Sequence, residues 1–209
     1  MKRVLGVLAG ADAPLEQLAE WARGAEVILA ADGGADRLMA CGVRPDLTVG
    51  DFDSLTSPDP GERLYLPEQD RTDCDKLLAT ARERGHEEIT MIGCEGDLPD
   101  HEIATLLSIA ESGLSVRIVY RTGLGYVLGP GVSRELSSME GHRVSLLPLT
   151  SMTGVNLNGV EWPLKEANLE TPGLRSVSNR ATGDRVGVRI ESGYGFLFIG
   201  TGGPPEVTW

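Results

Sequence analysis

Short apolar runs alternate with amphipathic stretches over the first 120 residues. The runs are apolar at consecutive positions, which is typical of strands buried on both faces, and the stretches between them have helical spacing. The predicted strands are Val4–Ala9, Glu26–Ala31, Leu47–Gly50, Ile89–Ile92 and Val116–Tyr120, and the predicted helices are Pro14–Arg23, Ala35–Cys41, Asp73–Arg84 and Asp100–Ser112. This alternation predicts a three-layer α/β domain with a largely parallel sheet.

The pattern changes near residue 125, and Gly129-Pro130-Gly131 marks a break. Turn residues then separate apolar runs without convincing helices between them. The later strands are predicted at Arg143–Leu147, Arg185–Ser192 and Gly195–Ile199. We therefore predict two domains, an α/β domain over residues 1–125 and a β-sandwich over residues 126–209.

Composition and charge exclude several classes of partner. The chain is 41% hydrophobic and 24% charged, as expected of a globular protein. Its formal net charge of −12 argues against nucleic acid or an anionic membrane as partner. A triphosphate is still compatible with this charge, because divalent cations held by carboxylates reverse the local sign.

The sequence favours a cytoplasmic location. No apolar run approaches the roughly 18 residues of a membrane span, and the apolar stretch that follows Arg3 is too short for a signal peptide. Cys41, Cys74 and Cys94 are widely spaced, which predicts neither a disulfide framework nor a zinc site.

Two carboxylates follow the third predicted strand, at the sheet edge where ligands of such folds bind. Asp51 and Asp53 are two residues apart in a segment predicted to be extended, so both project from one side while Phe52 points into the core. Such a pair suits Mg²⁺ that also binds substrate phosphates. The alternative is a simple turn in which Asp53 caps a short helix.

Similar motifs occur at other predicted helix starts. Asp32-Gly33-Gly34 lies where a helix N-terminus would attract phosphate, although Asp32 is alternatively a structural N-cap. Thr72 and Asp75 match a capping box, and Asp73 between them is favoured by the helix dipole. A lysine, Lys76, lies one turn along that helix. His101 lies at the start of the next predicted helix, beside Asp100. A lone histidine beside an acidic residue is more often a surface residue than a catalytic base.

These motifs belong to a longer series that extends into the second predicted domain. In chain order the series is Asp32-Gly33-Gly34, Pro45-Asp46, Gly50-Asp51-Phe52-Asp53-Ser54, Gln69-Asp70-Arg71-Thr72-Asp73, Gly96 to Asp100-His101, Gly159-Val160-Glu161-Trp162-Pro163-Leu164 and Ser176-Val177-Ser178-Asn179. The order and spacing of these segments resemble the thiamine pyrophosphokinase family. The similarity covers residues from about 26 to 199.

The resemblance implies a magnesium-dependent thiamine diphosphokinase, an ATP:thiamine diphosphotransferase. Such an enzyme transfers the pyrophosphoryl group of ATP to the thiamine hydroxyl and gives thiamine diphosphate and AMP. The α/β domain would bind Mg-ATP and the β-sandwich would bind thiamine. The resemblance also implies a homodimer with the thiamine site at the subunit interface.

Residue roles follow from the same resemblance. The catalytic residues would be Asp51, Asp53, Asp73 and Asp100, of which the first three would hold magnesium and Asp100 would face the reacting hydroxyl. ATP would contact Asp32, Gly33, Gln69, Arg71, Thr72 and Lys76. Thiamine would contact Trp162, Ser178 and Asn179. A flat cation suits a tryptophan face, where the attraction is worth roughly 0.5–2 kcal/mol, although an isolated Trp162 would otherwise be assigned to the core.

One position departs from the family pattern. Leu98 stands where the family usually has an arginine, and Pro99 stiffens the loop. We expect another arginine to replace the lost phosphate contact, with Arg71 preferred over Arg37.

Three other functions remain open from the sequence. The first is a related pyrophosphokinase that acts on a hydroxymethyl pterin. The second is a non-catalytic binder of thiamine or thiamine diphosphate, against which the full set of acidic residues argues. The third is a nucleotide hydrolase that uses the same metal site.

Overall fold

The computed structural model describes residues 2–57 and 60–209, and the described chain divides into two compact units. The first unit runs up to Arg121 and also includes Pro204–Trp209, and the second is Thr122–Gly203. In the first unit the Trp209 ring packs edge-on against the buried Trp21 ring, with centroids 5.3 Å apart. The division differs from the domain bounds predicted from sequence, which stay a prediction, chiefly in where this final segment belongs.

The first unit alternates strands and helices. Its strands are β1 (Val4–Val7), β2 (Val27–Ala31), β3 (Leu47–Gly50), β4 (Glu62–Tyr65), β5 (Glu88–Ile92) and β6 (Ser115–Tyr120), and its helices are α1 (Leu15–Gly24), α2 (Asp32–Ala40), α3 (Asp73–Glu83) and α4 (Pro99–Ser112). Within this unit the strands lie in the order β6-β5-β1-β2-β3-β4. All neighbours pair in parallel, and the order reverses between β1 and β5.

Helices cover both faces of this parallel sheet. α1 contacts α2, and α3 contacts α4, as right-handed crossovers require of two helical layers on opposite faces. Leu5, Leu29 and Leu47 on adjacent strands are fully buried, which explains the continuous apolar runs in the sequence. The predicted three-layer α/β fold is confirmed. Among residues 2–57 and 60–209, no helix combines the length and hydropathy needed to cross a membrane.

Two elements of this unit differ from their prediction. β4 was not predicted, because its residues are mostly exposed on an edge strand and show no apolar pattern. α2 begins at Asp32 rather than at Ala35. The early start depends on Gly34, where a Cβ atom would lie 2.2 Å from the carbonyl oxygen of Val7. The absence of a side chain therefore lets the helix begin directly against β1.

The second unit is a β-sandwich, as predicted. Its strands are β7 (Gly123–Leu128), β8 (Ser133–Leu136), β9 (Arg143–Pro148), β10 (Met152–Asn158), β11 (Leu164–Leu169), β12 (Ser176–Arg180), β13 (Val186–Arg189) and β14 (Gly195–Gly200). The strands form two sets, in the orders β12-β9-β14-β7 and β11-β10-β13-β8. Neighbouring strands within each set pair antiparallel. Leu146 and Leu197 from the first set share one buried cluster with Val155 and Val188 from the second. Two packed sheets thus enclose the core of this unit.

Candidate active site

A cavity of about 300 Å³ lies in the first unit, beyond the carboxyl ends of β1 to β5. This is the edge where the strand order reverses and where open α/β sheets bind ligands. The cavity brings together residues from four of the predicted motifs. They are Gly33, Asp51, Asp53, Gln69, Arg71, Thr72, Asp73, Lys76, Asp97 and His101.

Three carboxylates converge at this edge. One carboxylate oxygen from each of Asp32, Asp51 and Asp53 lies within 4.8 Å of the other two. Opposite ligands of octahedral Mg²⁺ are about 4.2 Å apart, since each Mg–O distance is about 2.1 Å, so a small contraction would fit the cation. Asp32, assigned to ATP from the sequence, thus joins the two predicted metal ligands. Asp73, the third ligand assigned from the sequence, lines the cavity but is outside this group of three.

Asp32 is a buried carboxylate without full hydrogen bonding. It is 1% exposed, its Oδ2 accepts a 3.0 Å hydrogen bond from the backbone N–H of Phe52, and its Oδ1 has no donor. Burial, with the charges of Asp73 and Asp51, raises the pKa of Asp32 to about 6. No side-chain cap is formed at this helix start, so the N-cap interpretation is wrong. A divalent cation would give Oδ1 a partner and favour the ionised carboxylate.

Gly50 provides the space that Asp32 occupies. Its φ of +149° lies outside the range that other residues readily adopt, and a Cβ atom there would lie 2.1 Å from Asp32 Oδ1. The end of β3 therefore accepts the Asp32 carboxylate only because residue 50 has no side chain.

Asp51 and Asp53 meet through a turn, not through an extended segment. Phe52 between them has a φ of 63°, which is the left-handed region. The backbone N–H of Asp53 approaches Asp51 Oδ1 at 3.4 Å, and no helix begins at Asp53. The extended geometry and the helix-cap alternative are both wrong, yet the turn still directs the two carboxylates to the same cavity.

The Phe52 ring packs on the edge strand β4 and does not enter the core as predicted. The centroid of the Phe52 ring is 6.0 Å from that of Tyr65, and the Arg63 guanidinium carbon lies 5.8 Å from the Phe52 centroid. Since Phe52 also donates its backbone N–H to Asp32, this residue fixes both the turn and the neighbouring carboxylate.

The start of α3 carries a capping box and an ion pair. Thr72 Oγ1 accepts from the Asp75 N–H at 3.1 Å, and Asp75 Oδ2 accepts from the Thr72 N–H at 2.8 Å, so the predicted box is present. Lys76 is 3% exposed and its Nζ lies 3.7 Å from Asp73 Oδ1. Burial raises the pKa of Asp73, although Lys76 opposes the shift. A buried ammonium group thus stands beside the carboxylates in the same cavity.

Gln69 is tied to the carboxylate cluster. Its Nε2 donates a 2.7 Å hydrogen bond to Asp51 Oδ2. This bond holds the pKa of Asp51 below its ordinary value and keeps the carboxylate ionised. The amide therefore orients a cluster residue, and the ATP contact assigned to Gln69 from the sequence stays a prediction.

The structure distinguishes the two arginines considered as replacements at Leu98. Arg71 lines the cavity. The Arg37 guanidinium is instead turned to the loop after β1, where it donates to the carbonyl oxygens of Gly10 and Ala13. Leu98 itself is 59% exposed at the N-cap of α4. Arg71 is therefore the better placed of the two to contact a phosphate.

Asp97, which lies just before α4, was not recognised from the sequence as a site residue. His101 Nδ1 lies 3.0 Å from Asp97 Oδ2, both residues line the cavity, and the hydrogen bond raises the pKa of His101. The sequence did offer one signal, because Asp97 lies four residues before His101 and side chains at that spacing can meet on a helix. Asp100 is exposed and does not belong to this lining, and its catalytic role stays a prediction.

The three residues assigned to thiamine lie close together in the second unit. The Trp162 side chain is 60% exposed on the loop between β10 and β11, so its assignment to the core is wrong. Asn179 on β12 is 2% exposed and is hydrogen-bonded to the Trp162 backbone. Ser178 is exposed with a φ of 60°, and its backbone N–H donates to Ser145 Oγ at 3.0 Å.

Two family models match the chain. The catalytic domain of thiamin pyrophosphokinase matches residues 18–119, and the vitamin B1 binding domain of thiamin pyrophosphokinase matches residues 132–197. The chain belongs to this family. The resemblance found in the sequence is thereby confirmed, and with it the prediction that the chain is an enzyme, a thiamine diphosphokinase.

Individual thiamine pyrophosphokinases match most of the chain. The chain is 26% identical over 161 residues to the thiamine pyrophosphokinase of Bacillus subtilis (strain 168), which covers 71% of this chain and 75% of the relative. The crystal structure of a Bacillus subtilis thiamine pyrophosphokinase superposes with a TM-score of 0.80 at 21% identity and covers 95% of this chain and 99% of that one. The Candida albicans enzyme superposes with a TM-score of 0.78 at 17% identity, over 95% and 90% of the two chains. Both units thus have the thiamine pyrophosphokinase fold.

Proposed function

We propose that this thiamine pyrophosphokinase transfers the pyrophosphoryl group of ATP to the hydroxyl of thiamine in a Mg²⁺-dependent reaction. The hydroxyl oxygen attacks the β-phosphorus, the bond from that phosphorus to the oxygen shared with the α-phosphate breaks, and AMP leaves. One observation carries the proposal: Asp51 and Asp53, which form a cluster with Asp32, share a cavity with the buried Lys76.

Asp32, Asp51 and Asp53 would hold the magnesium ion. Carboxylate oxygens are its preferred protein ligands, and the ion usually keeps positions for water and substrate phosphates. When bound, it would neutralise charge on the polyphosphate. The unpartnered, buried Asp32 Oδ1 supports this fit. Asp73 stays in the proposal as a further ligand, reached once Lys76 turns from it to a phosphate.

Lys76, Arg71 and Gly33 would bind the phosphates of ATP. Lys76 supplies a compact positive charge, and the guanidinium of Arg71 can bind a phosphate through two parallel hydrogen bonds. Gly33 is in the first turn of α2, where backbone N–H groups attract anions. Thr72 would act by fixing the start of α3, since its hydroxyl is engaged with Asp75.

The acceptor hydroxyl would meet residues at the start of α4. The Asp97 carboxylate raises the pKa of His101, which favours the imidazolium form and a role as a cation near phosphate. A carboxylate is then needed to take the hydroxyl proton, and we keep Asp100 in that role. Trp162 would bind the thiamine ring through its exposed face.

The proposal also includes a homodimer in the cytoplasm, with thiamine at the subunit interface. Exposed apolar side chains in each unit support the dimer, because a partner subunit would remove them from water. They are Leu98, Ile103 and Leu107 in the first unit and Trp162, Leu174 and Val177 in the second. Light scattering that gives the mass of one chain at enzyme concentrations used for assay would contradict this part.

Incubation with Mg-ATP and thiamine tests the reaction. We expect AMP and thiamine diphosphate in equal amounts, and neither product when EDTA removes the cation. Parallel reactions with a hydroxymethyl pterin and without any acceptor test the related pyrophosphokinase and the hydrolase. The proposal is wrong if the pterin is the better acceptor, if ATP is cleaved equally without acceptor, or if thiamine binds without turnover.

Asp53→Asn tests the metal assignment separately. We expect loss of turnover at saturating magnesium and, in EDTA, the melting temperature of the wild type, because Asp53 is exposed. Glu83→Gln, which removes an exposed carboxylate at the far end of α3, is the matched control and should keep normal activity. Near-normal kcat in Asp53→Asn would remove this residue from the metal site.

A further inference from the structure

The side-chain amide of Asn179 makes four hydrogen bonds inside the second unit. Its Oδ1 accepts from the backbone N–H of Trp162 at 3.1 Å and from that of Arg180 at 2.9 Å. Its Nδ2 donates to the backbone carbonyl of Trp162 at 2.7 Å and to Ser176 Oγ at 3.2 Å. One buried side chain thus holds both polar backbone groups of an exposed tryptophan.

These four bonds use the full capacity of the amide. An asparagine side chain offers two N–H donors and two acceptor positions, and Asn179 is 2% exposed. The orientation of the amide is fixed by its partners, because the Trp162 N–H needs an acceptor and the Trp162 carbonyl needs a donor. Asn179 therefore has no hydrogen bond left for a ligand, unlike the direct thiamine contact assigned from the sequence.

The chain around Trp162 is held mainly by its backbone. Glu161 donates its N–H to the Arg180 carbonyl at 2.9 Å, and Val160 pairs with Ala181 in an isolated bridge. Pro163 follows Trp162 and has no N–H to add a bond. Because Trp162 is 60% exposed, packing constrains its ring only in part, and the Asn179 amide closes the backbone pairing at the residue that carries the ring.

We propose that Asn179 is a positioning residue, which fixes the Trp162 backbone so that the indole presents one face to a flat cationic ring. The identity of that ring as thiamine rests on the proposed function, whereas the positioning does not. A tryptophan held in its binding orientation loses less conformational freedom when the ligand stacks on it. Asn179 then contributes to affinity through Trp162 alone.

A double-mutant cycle separates positioning from direct contact. Thiamine affinity is measured by calorimetry on the full chain for Asn179→Ala, Trp162→Ala and the double variant. We expect each single change to weaken binding by about tenfold, and the double variant to match Trp162→Ala alone, because a residue that acts through another is not additive with it. Additive losses, or normal thiamine affinity in Asn179→Ala, would overturn the proposal.

Fluorine NMR on the protein labelled with 5-fluorotryptophan measures the environment of the indole without any ligand. The resonance that disappears in Trp162→Phe is assigned to Trp162, and unchanged resonances of Trp21 and Trp209 show that the first unit is intact. Asn179→Ala should shift or broaden the Trp162 resonance only, and an unchanged resonance would contradict positioning. If wild-type chain fails to bind thiamine, the proposed function is wrong while this measurement still decides the role of Asn179.

Two further variants complete the design. Ser176→Ala removes one partner of Asn179 but leaves both bonds to Trp162, so its thiamine affinity should stay within about twofold of wild type. If Asn179→Ala does not fold, Asn179→Asp keeps the two accepted bonds and loses the two donated ones. The Trp162 resonance should then still move, and no movement would again refute the proposal. ATP affinity should remain unchanged in every variant.

Discussion

Replacing Asp32 by asparagine tests the electrostatics of the carboxylate cluster. Folding raises the pKa of this carboxyl from 3.8 to about 6, so between these values the folded chain keeps a proton that the unfolded chain has lost. The free energy of unfolding therefore decreases as the pH rises from about 4 to about 6, and the loss is complete above the folded pKa. Asp32→Asn cannot titrate, and this part of the pH dependence should disappear.

The magnitude follows from the two pKa values. They differ by about 2.2, and each unit corresponds to about 1.4 kcal/mol, which gives about 3 kcal/mol. Asp32 is 1% exposed, so solvent screens the effect little. In a chain of this length 1 kcal/mol moves the melting temperature by about 2–4 °C. About 2.4 kcal/mol of this is present at pH 4, because the unfolded carboxyl is already partly ionised there. Relative to Asp32→Asn, the metal-free wild type should thus lose about 5–10 °C between pH 4 and pH 8.

Thermal unfolding of wild type and Asp32→Asn in EDTA, from pH 4 to pH 8, measures this difference. Any fixed cost of burying the new amide is the same at each pH and does not alter the slope. Saturating Mg²⁺ should then restore the wild type at pH 8 and leave Asp32→Asn unchanged, because the cation needs the ionised carboxylate. A difference in melting temperature that is independent of pH, or equal stabilisation of both proteins by Mg²⁺, would refute the reasoning.

Other predictions concern the arginines and the Phe52 turn. Arg71→Ala should lower kcat/KM for ATP at least about tenfold, or 1.4 kcal/mol of transition-state stabilisation. If Arg71→Ala and Arg37→Ala both leave kcat/KM unchanged while Leu98→Arg raises it, no other arginine replaces the lost contact and the Leu98 loop is simply impaired. Arg37→Ala should instead lower the melting temperature, since two carbonyl groups lose their donor at about 1–3 kcal/mol each, and a normal melt would contradict the anchoring role. Tyr65→Ala should weaken Mn²⁺ binding, followed by electron paramagnetic resonance, because the Phe52 ring loses its support; unchanged affinity would mean that the turn holds without the ring contact.

The parallel sheet could be predicted because its strands are buried on both faces and leave continuous apolar runs. β4, with the sequence Glu62-Arg63-Leu64-Tyr65, carries no such run, since an edge strand mostly faces water. Several strands of the sandwich were missed for a related reason. β11 is exposed at three of its six positions, so no apolar run marks it, and its pairing with β10 defines it.

In the candidate site, the positions next to buried strands could be predicted and the side-chain geometry could not. Asp51 and Asp53 follow an apolar run, so their place at the sheet edge follows from the pattern. The left-handed φ of Phe52 and the convergence of Asp32 with both carboxylates depend on contacts between distant segments. The role of Asn179 is of the same kind, because its partner Trp162 is seventeen residues away in sequence.

The missing side chain at Gly50 has a consequence for how sequence variation in this enzyme is interpreted. A methyl group at residue 50 would displace the Asp32 carboxylate, eighteen residues earlier, from the place where it meets Asp51 and Asp53. A saturation scan scored by catalysis would therefore rank Gly50 with the acidic residues, although glycine has no group that could bind a cation or a phosphate. Positions 32 and 50 therefore act as one unit, in which the place of the carboxylate depends on the volume left empty at Gly50.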